Sequence, residues 1–113
     1  MTMSDADFEE LVSEALDLIP RNFARAMDNV VVLVEPRHPG RSLYGLYHGV
    51  ALTERTSNYS WTLPDTITIY REPILAYATD VDSARSQVVT TVIHEVAHHF
   101  GIDDDRLDEL GWA

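Results

Sequence analysis

One run of residues constrains the fold of this 113-residue chain more than any other: His94-Glu95-Val96-Ala97-His98. Residues four apart lie on one face of an α-helix, so a helix through this run can present both imidazoles to a single metal ion. The glutamate follows the first histidine directly, at the position where a general base acting on metal-bound water is needed. The run therefore predicts a helix with a metal site on one face and Glu95 as the catalytic base.

The residues after this run predict how a third ligand reaches the same metal. Gly101 can adopt the left-handed conformation that ends a helix and turns the chain back. That turn would bring Asp104 to the two imidazoles, and three protein ligands with one open position are typical of a catalytic zinc site. The neighbouring Asp103 and Asp105 offer the alternative roles of helix N-cap and solvated carboxylate.

The same residues have other interpretations, which the sequence leaves open. His94 and His98 could be half-buried, hydrogen-bonded histidines without a metal, and Glu95 could be a structural carboxylate that orients a ligand. Two histidines and a carboxylate also suit a mononuclear non-haem iron enzyme. The glutamate beside the first histidine favours hydrolysis over oxygen chemistry, so Zn²⁺ is the expected metal.

The other histidines are not expected to bind the metal. His99 lies one step round the helix from His98, off the ligand face, which predicts a place behind the ligands or at the surface. His38 and His48 lie in or beside loops, and neither has a partner at metal-ligand spacing. The expected metal ligands are therefore His94, His98 and Asp104.

Length and charge limit the classes of partner. A chain of 113 residues is expected to form one domain over residues 1–113. The net charge of −11, from 8 basic and 19 acidic residues, argues against nucleic acid and anionic membranes. The absence of cysteine excludes disulfides and thiolate zinc ligands. The acidic N-terminus lacks a secretory pattern and no stretch approaches the ~20 apolar residues of a membrane span, so a cytoplasmic location is expected.

Apolar spacing predicts two helices before the first strand. Residues 4–19 should form an amphipathic helix, in which Ser4 and Asp7 can make an acidic variant of the capping box. Pro20 stops this helix or starts a short second one. The second helix is expected to turn three apolar side chains inward: Phe23, Ala24 and Met27.

Further helices are predicted in the C-terminal half. A short one can open at Glu72 and continue through residue 78. Asp80 or Asp82 can cap the long helix that carries the histidines, which should run to about Phe100. Asp105 can cap a last short helix.

Strand patterns lie between these helices. Residues 30–34 are five consecutive apolar residues, four of them β-branched, which predicts a strand buried on both faces. Residues 43–50 predict a strand interrupted by two glycines, and the alternation in residues 66–70 suits a half-buried strand. The polar segment 53–61 is expected to be irregular.

The chain resembles a family of short bacterial proteins, the minimal zincin-like metallopeptidases, over nearly everything from Val30 on. Its ligand segment is similar to that of the zincin superfamily. The spacing through Gly101 and Asp104 resembles the metzincin pattern with an aspartate in place of the usual third histidine. The resemblance is carried by separate segments along the chain: 45–50, 52–55, 63–65, 67–71, 94–101 and 104–107.

The resemblance implies an α+β, zincin-like fold. In this fold a small mixed β-sheet packs against an active-site helix and an N-terminal helix. The resemblance also implies zinc on His94, His98 and Asp104, with Glu95 as the general base. A metallopeptidase activity follows from the same comparison, without a defined substrate.

The chain departs from true metzincins in two respects. They carry a methionine turn beneath the metal, downstream of the third ligand, whereas the methionines here are Met1, Met3 and Met27. Only nine residues follow Asp104, so the C-terminal subdomain that helps to form a substrate cleft is expected to be missing. We therefore expect short or extended peptides, rather than folded proteins, as substrates.

The leading hypothesis is a zinc-dependent metallopeptidase whose peptide substrate lies beside an edge strand, either residues 43–47 or residues 66–70. The alternative is a non-catalytic, metal-stabilised protein-interaction module with the same fold. Hydrolysis also needs a donor that stabilises the oxyanion. The side chains available for this are Tyr44, Tyr47, His48, Arg55, Tyr59 and Tyr70.

Overall fold

A small sheet and one long helix form the frame of the structure, a computed structural model that describes residues 1–50 and 64–110. The described strands follow one another between two N-terminal helices and three C-terminal helices. Along this part of the chain the elements are, in order, α1 (Asp5–Asp17), α2 (Arg21–Ala26), β1 (Val30–Glu35), β2 (Gly45–His48), β3 (Asp65–Tyr70), α3 (Arg71–Tyr77), α4 (Val81–His99) and α5 (Asp104–Leu110).

The described strands form a mixed sheet in the order β1-β3-β2. β1 runs parallel to β3, with Val30 opposite Asp65 and Glu35 opposite Tyr70, and β2 runs antiparallel to β3. This small mixed sheet and its helices confirm the predicted α+β class. Because β3 pairs on both sides, its backbone groups are already used. Residues 66–70 therefore cannot be the strand that receives a peptide, and that part of the substrate hypothesis is wrong.

The prediction that residues 30–34 are buried on both faces is also wrong. Along β1 half-buried and exposed residues alternate, and Val31 and Leu33 are each 41% exposed. The physical reason is the position of the strand: β1 ends the described sheet order, while α4 packs on β2 and β3. An apolar run alone does not reveal whether a second layer covers it.

The core lies between the sheet, α4 and α1. α1 begins as predicted, with the Ser4 hydroxyl accepting a hydrogen bond from the Asp7 amide at 3.1 Å. Its buried stripe packs against α4, as the amphipathic spacing requires. That stripe consists of Phe8, Leu11, Val12 and Ala15.

The second helix forms as predicted but does not face the core. No residue of α2 is buried, and Phe23 remains 45% exposed, with its ring edge-on to Phe100 at a centroid distance of 5.2 Å. Ala24 is exposed, and only Met27, just past the helix, packs partly against the core. A helix of six residues presents too short a face to bury three side chains at once.

The C-terminal helices begin and end close to the predicted residues. Asp80 caps α4, and a reciprocal capping box joins its side chain and backbone to Ser83. Of the two caps considered for α5, Asp103 and Asp105, it is Asp103 that accepts the hydrogen bond from the Arg106 amide, at 2.9 Å. None of the described helices is both long and apolar enough to cross a membrane.

Two substitutions on neighbouring strands test whether β1 is buried on one face only. Ile67 of β3 is 0% exposed in the core, so Ile67→Ala should lower the free energy of unfolding by about 2–5 kcal/mol. Leu33→Ala on the exposed side of β1 should cost about 1 kcal/mol or less. Urea denaturation of both variants measures the difference. Equal losses would show that the outer face of β1 is covered.

Candidate metal centre

The last two turns of α4 place His94 and His98 one above the other. Their ring centroids are 4.6 Å apart, and each side chain keeps 28% of its surface exposed. The i, i+4 spacing produces this edge-to-face contact directly, because Cβ atoms four residues apart share a helix face. Both rings are therefore rigidly carried and still reachable from solvent.

The chain reverses after α4 through a glycine-dependent turn. Gly101 has φ 80°, its amide donates to the carbonyl of His98, and the Ile102 amide donates to the carbonyl of Ala97, each at 3.0 Å. These two bonds make a Schellman motif, which satisfies helix-end carbonyls and favours glycine at the left-handed position. The predicted reversal at Gly101 is confirmed.

The reversal brings Asp104 to both imidazoles. Its Oδ1 lies 3.0 Å from Nε2 of His94 and 3.0 Å from Nε2 of His98. The hydrogen bond from His98 holds the pKa of the Asp104 carboxyl below its ordinary value. Of the three consecutive aspartates, Asp104 meets the rings and Asp103 caps α5, whereas Asp105 is exposed.

The donor set suits a small divalent cation. Atoms that each lie ~2.0–2.1 Å from a tetrahedral zinc are about 3.3 Å apart, close to the 3.0 Å observed between the Asp104 oxygen and each Nε2. Lone pairs on all three atoms would repel one another, so their convergence requires either protons on the ring nitrogens or a cation between them. Ligand-type atoms of His94, Glu95 and His98 also lie within 4.8 Å of one another.

Glu95 lies on the other edge of the His98 ring. Its Oε1 is 3.0 Å from Nδ1 of His98, and the residue is 6% exposed. With a metal in place, an ionised carboxylate there would accept the Nδ1–H, so that Nε2 would present its lone pair to the cation. In this conformation Glu95 occupies the place of a carboxylate that orients a ligand, one of the two roles considered for it.

β2 lies alongside the histidine-bearing turns of α4. A Cβ on Gly45 would lie 2.6 Å from Cγ2 of Thr91 and 3.2 Å from Cγ of Glu95, so only glycine permits this approach. From Gly45 to Tyr47 the strand advances two residues, about 6.8 Å, and from Glu95 to His99 the helix advances four residues, about 6 Å. The next contact along both elements therefore joins Tyr47 to His99, whose ring centroids are 5.8 Å apart.

His99 is buried, contrary to the option of a surface position. It is 0% exposed, and its Nδ1 lies 2.9 Å from Oδ2 of Asp65, itself 1% exposed. The Tyr47 hydroxyl donates to the same oxygen at 2.6 Å. Asp65 was not predicted to take part in this contact, because two residues that pair across 34 positions show no local spacing pattern in the sequence.

The remaining candidates take other positions. His38 accepts hydrogen bonds from the amides of Gly40 and Arg41, and His48 is exposed. Among the proposed oxyanion donors, Arg55 and Tyr59 lie outside the described residues, and the Tyr47 hydroxyl donates to Asp65.

Tyr70 differs from these candidates because its hydroxyl is tied electrostatically to the site. Burial raises the pKa of this hydroxyl, and the carboxylates of Glu35 and Glu95 raise it further.

Substitution of the three aspartates tests which one binds metal. Asp104→Asn should weaken zinc binding strongly, because the amide loses the negative charge that faces both Nε2 atoms. Asp105→Asn should leave zinc affinity unchanged, and Asp103→Asn should cost only a cap, ~0.5–2 kcal/mol of stability. Zinc titration by calorimetry measures the three affinities. Loss of zinc in Asp103→Asn or Asp105→Asn with retention in Asp104→Asn would contradict this register.

Comparison with known proteins agrees with this fold. A solved structure described as a conserved hypothetical protein from Thermo thermophilus superposes with a TM-score of 0.59 at 23% sequence identity, covering 96% of this chain and 97% of that one. No curated protein matches the chain. The profile of the zincin-like metallopeptidases matches residues 27–112, as the resemblance of the sequence implied. The chain belongs to the zincin-like metallopeptidase family.

Proposed function

We propose that this protein is a zinc-dependent metallopeptidase that hydrolyses peptide bonds in short or extended peptides. The observation that carries the proposal is the convergence of three lone-pair atoms: Nε2 of His94, Nε2 of His98 and Oδ1 of Asp104. They meet on a solvent-accessible face in a member of a metallopeptidase family. Such a donor set, with the solvent side open, is that of a catalytic rather than a structural zinc.

In the proposed reaction the metal would activate the water and the carbonyl, and a side chain of the protein would transfer the proton. Zinc on these three side chains would supply Lewis acidity, which lowers the pKa of water and polarises the carbonyl under attack. Glu95 is proposed to take the proton from the water and to pass it to the leaving amine. Since the Glu95 carboxylate contacts Nδ1 of His98 at 3.0 Å, it must turn from that nitrogen toward the solvent side of the ligands to do so.

The peptide is proposed to extend along β2. Gly45 brings this strand against Cγ of Glu95, so a peptide that follows the strand passes beside the proposed base. Main-chain hydrogen bonding of this kind binds extended segments and not folded surfaces. The exposed Asp104, with 73% of its side chain accessible, leaves the ligands open to a small substrate.

The contact of Glu95 with His98 favours one alternative function. A carboxylate that orients a ligand is all that a non-catalytic, metal-stabilised interaction module requires. Such a module would bind zinc with the same ligands and would not turn over peptides. The two functions therefore agree on metal binding and differ on the role of Glu95.

Metal content tests what the two functions share. The purified protein should hold about one zinc per chain, and His94→Ala or His98→Ala should abolish tight binding, because each removes one of three ligands. Mass spectrometry of dialysed protein measures the zinc. His38→Ala is the matched control, because the described contacts of His38 are with the amides of Gly40 and Arg41 and with the ring of Tyr70. Full occupancy in the His94→Ala, His98→Ala double variant would eliminate the site.

Glu95→Gln separates the enzyme from the interaction module. Its amide oxygen can still accept the Nδ1–H of His98, so zinc affinity should be kept. Glutamine cannot take a proton from water, so turnover should fall by ~10²–10⁴-fold if Glu95 is the base. A peptide-library cleavage assay and zinc competition with a chelator measure the two effects on the same preparation.

The other outcomes of this experiment are equally informative. A loss of zinc affinity, with turnover unchanged once the variant is fully loaded, would assign Glu95 to orientation of His98. No cleavage of any peptide by zinc-loaded wild type would favour the interaction module. Unchanged turnover and unchanged affinity would remove Glu95 from both roles.

A further inference from the structure

A buried polar cluster joins the sheet to the end of α4. It consists of Tyr47 on β2, Asp65 at the start of β3 and His99 in the last turn of α4. One carboxylate oxygen, Oδ2 of Asp65, lies 2.6 Å from the Tyr47 hydroxyl and 2.9 Å from Nδ1 of His99. We call these three residues the anchor cluster.

Oδ2 of Asp65 is the shared acceptor of the cluster. A carboxylate that is 1% exposed and receives two donors on one oxygen makes charge-assisted hydrogen bonds, which are shorter and stronger than neutral ones. A Cβ on Gly49, the residue after β2, would overlap the other oxygen, so the backbone at the end of β2 packs against this carboxylate. The sheet therefore holds Asp65 in one position.

His99 depends on this carboxylate for its orientation. Its ring is fully buried, and within the part of the chain that the structure describes its Nε2 has no hydrogen-bond partner. The bond from Nδ1 to Asp65 is thus the polar contact that orients the ring. Loss of this bond would leave both ring nitrogens buried without a described partner, which is unfavourable.

The anchor cluster acts at the point from which two of the metal ligands arise. His99 follows His98 directly, and the turn through Gly101 to Asp104 starts at the same helix end. The last turn of a helix frays easily, because its carbonyls lack partners within the helix. The buried side chain of His99, hydrogen-bonded to Asp65, restrains the backbone of His98 and the start of the loop that leads to Asp104.

We propose that Tyr47, Asp65 and His99 are positioning residues that fix the last turn of α4 and thereby preset the metal ligands. The inference rests on the proposed metal site and adds a function for three side chains that are not proposed as metal ligands. It predicts that a change at Asp65 weakens metal binding although Asp65 is not a ligand. Supporting residues around metal ligands act on affinity in the same way.

Asp65→Asn tests the proposal in the full chain. The amide keeps the shape of the side chain and removes the charge that both donors require. Zinc affinity should fall by about 10-fold or more, the scale seen when supporting residues of metal ligands are changed. Tyr47→Phe removes one of the two donors and should shift affinity in the same direction by less. This second variant carries the test if Asp65→Asn does not fold.

Two further measurements separate positioning from general stability. The visible absorption spectrum of the Co²⁺-loaded protein should change in Asp65→Asn, because ligand geometry at the metal changes. In the metal-free protein, amide hydrogen exchange should accelerate at Phe100, Gly101 and Ile102, whose amides donate to the end of α4. Amides in the middle of the same helix should exchange as in the wild type.

Ser83→Ala is the matched control. It removes the capping box at the other end of α4, 16 residues before His99, and so destabilises the same helix away from the ligands. Its zinc affinity and Co²⁺ spectrum should equal those of the wild type. Equal losses of affinity in Ser83→Ala and Asp65→Asn would overturn the proposal in favour of a general effect on stability.

The experiment distinguishes failure of the inference from failure of the proposed function. Wild-type affinity and an unchanged spectrum in Asp65→Asn and Tyr47→Phe would overturn the positioning role and leave the metal site intact. A wild-type protein that binds neither zinc nor Co²⁺ would refute the metal site. In that case the hydrogen-exchange comparison alone decides whether the cluster anchors the end of α4.

Discussion

The packing of α4 against β2 decides where the side chains of the metal centre lie. Two contacts set this packing, one at Gly45 against Glu95 and one at Tyr47 against His99. The strand and the helix advance by nearly the same distance between these contacts. The strand and the helix therefore stay in register between these two contacts. A shift of one element along the other would break both contacts.

Charge at the site is distributed over both edges of the His98 ring. The carboxylate of Glu95 lies at Nδ1 and the carboxylate of Asp104 lies at Nε2, each at 3.0 Å. When a metal is bound, Glu95 would hold the proton on Nδ1, and Nε2 would offer its lone pair to the metal. A ring held in this way can bind a metal without first changing its orientation. The ordered end of α4 extends the same preorganisation to the backbone.

Short-range patterns accounted for the elements that carry the ligands, but not for how those elements are covered. The apolar run in β1 was expected to be buried on both faces, yet Val31 and Leu33 are exposed, because α4 lies on β2 and β3. The short helix α2 was expected to bury Phe23, which instead touches only the edge of Phe100. In each case the local pattern predicted the helix or strand correctly, and the packing of neighbouring elements decided which of its side chains are buried.

The sequence by itself determined the features that depend on neighbours a few residues away. The edge-to-face contact of His94 and His98 follows from the helical repeat, and the reversal at Gly101 follows from its freedom at positive φ. Together they bring Asp104 to both rings. Tertiary structure alone decided the central place of β3, the close approach at Gly45 and the pairing of His99 with Asp65. These depend on groups far apart in the chain, and no local spacing encodes which strand meets the helix or which carboxylate it buries.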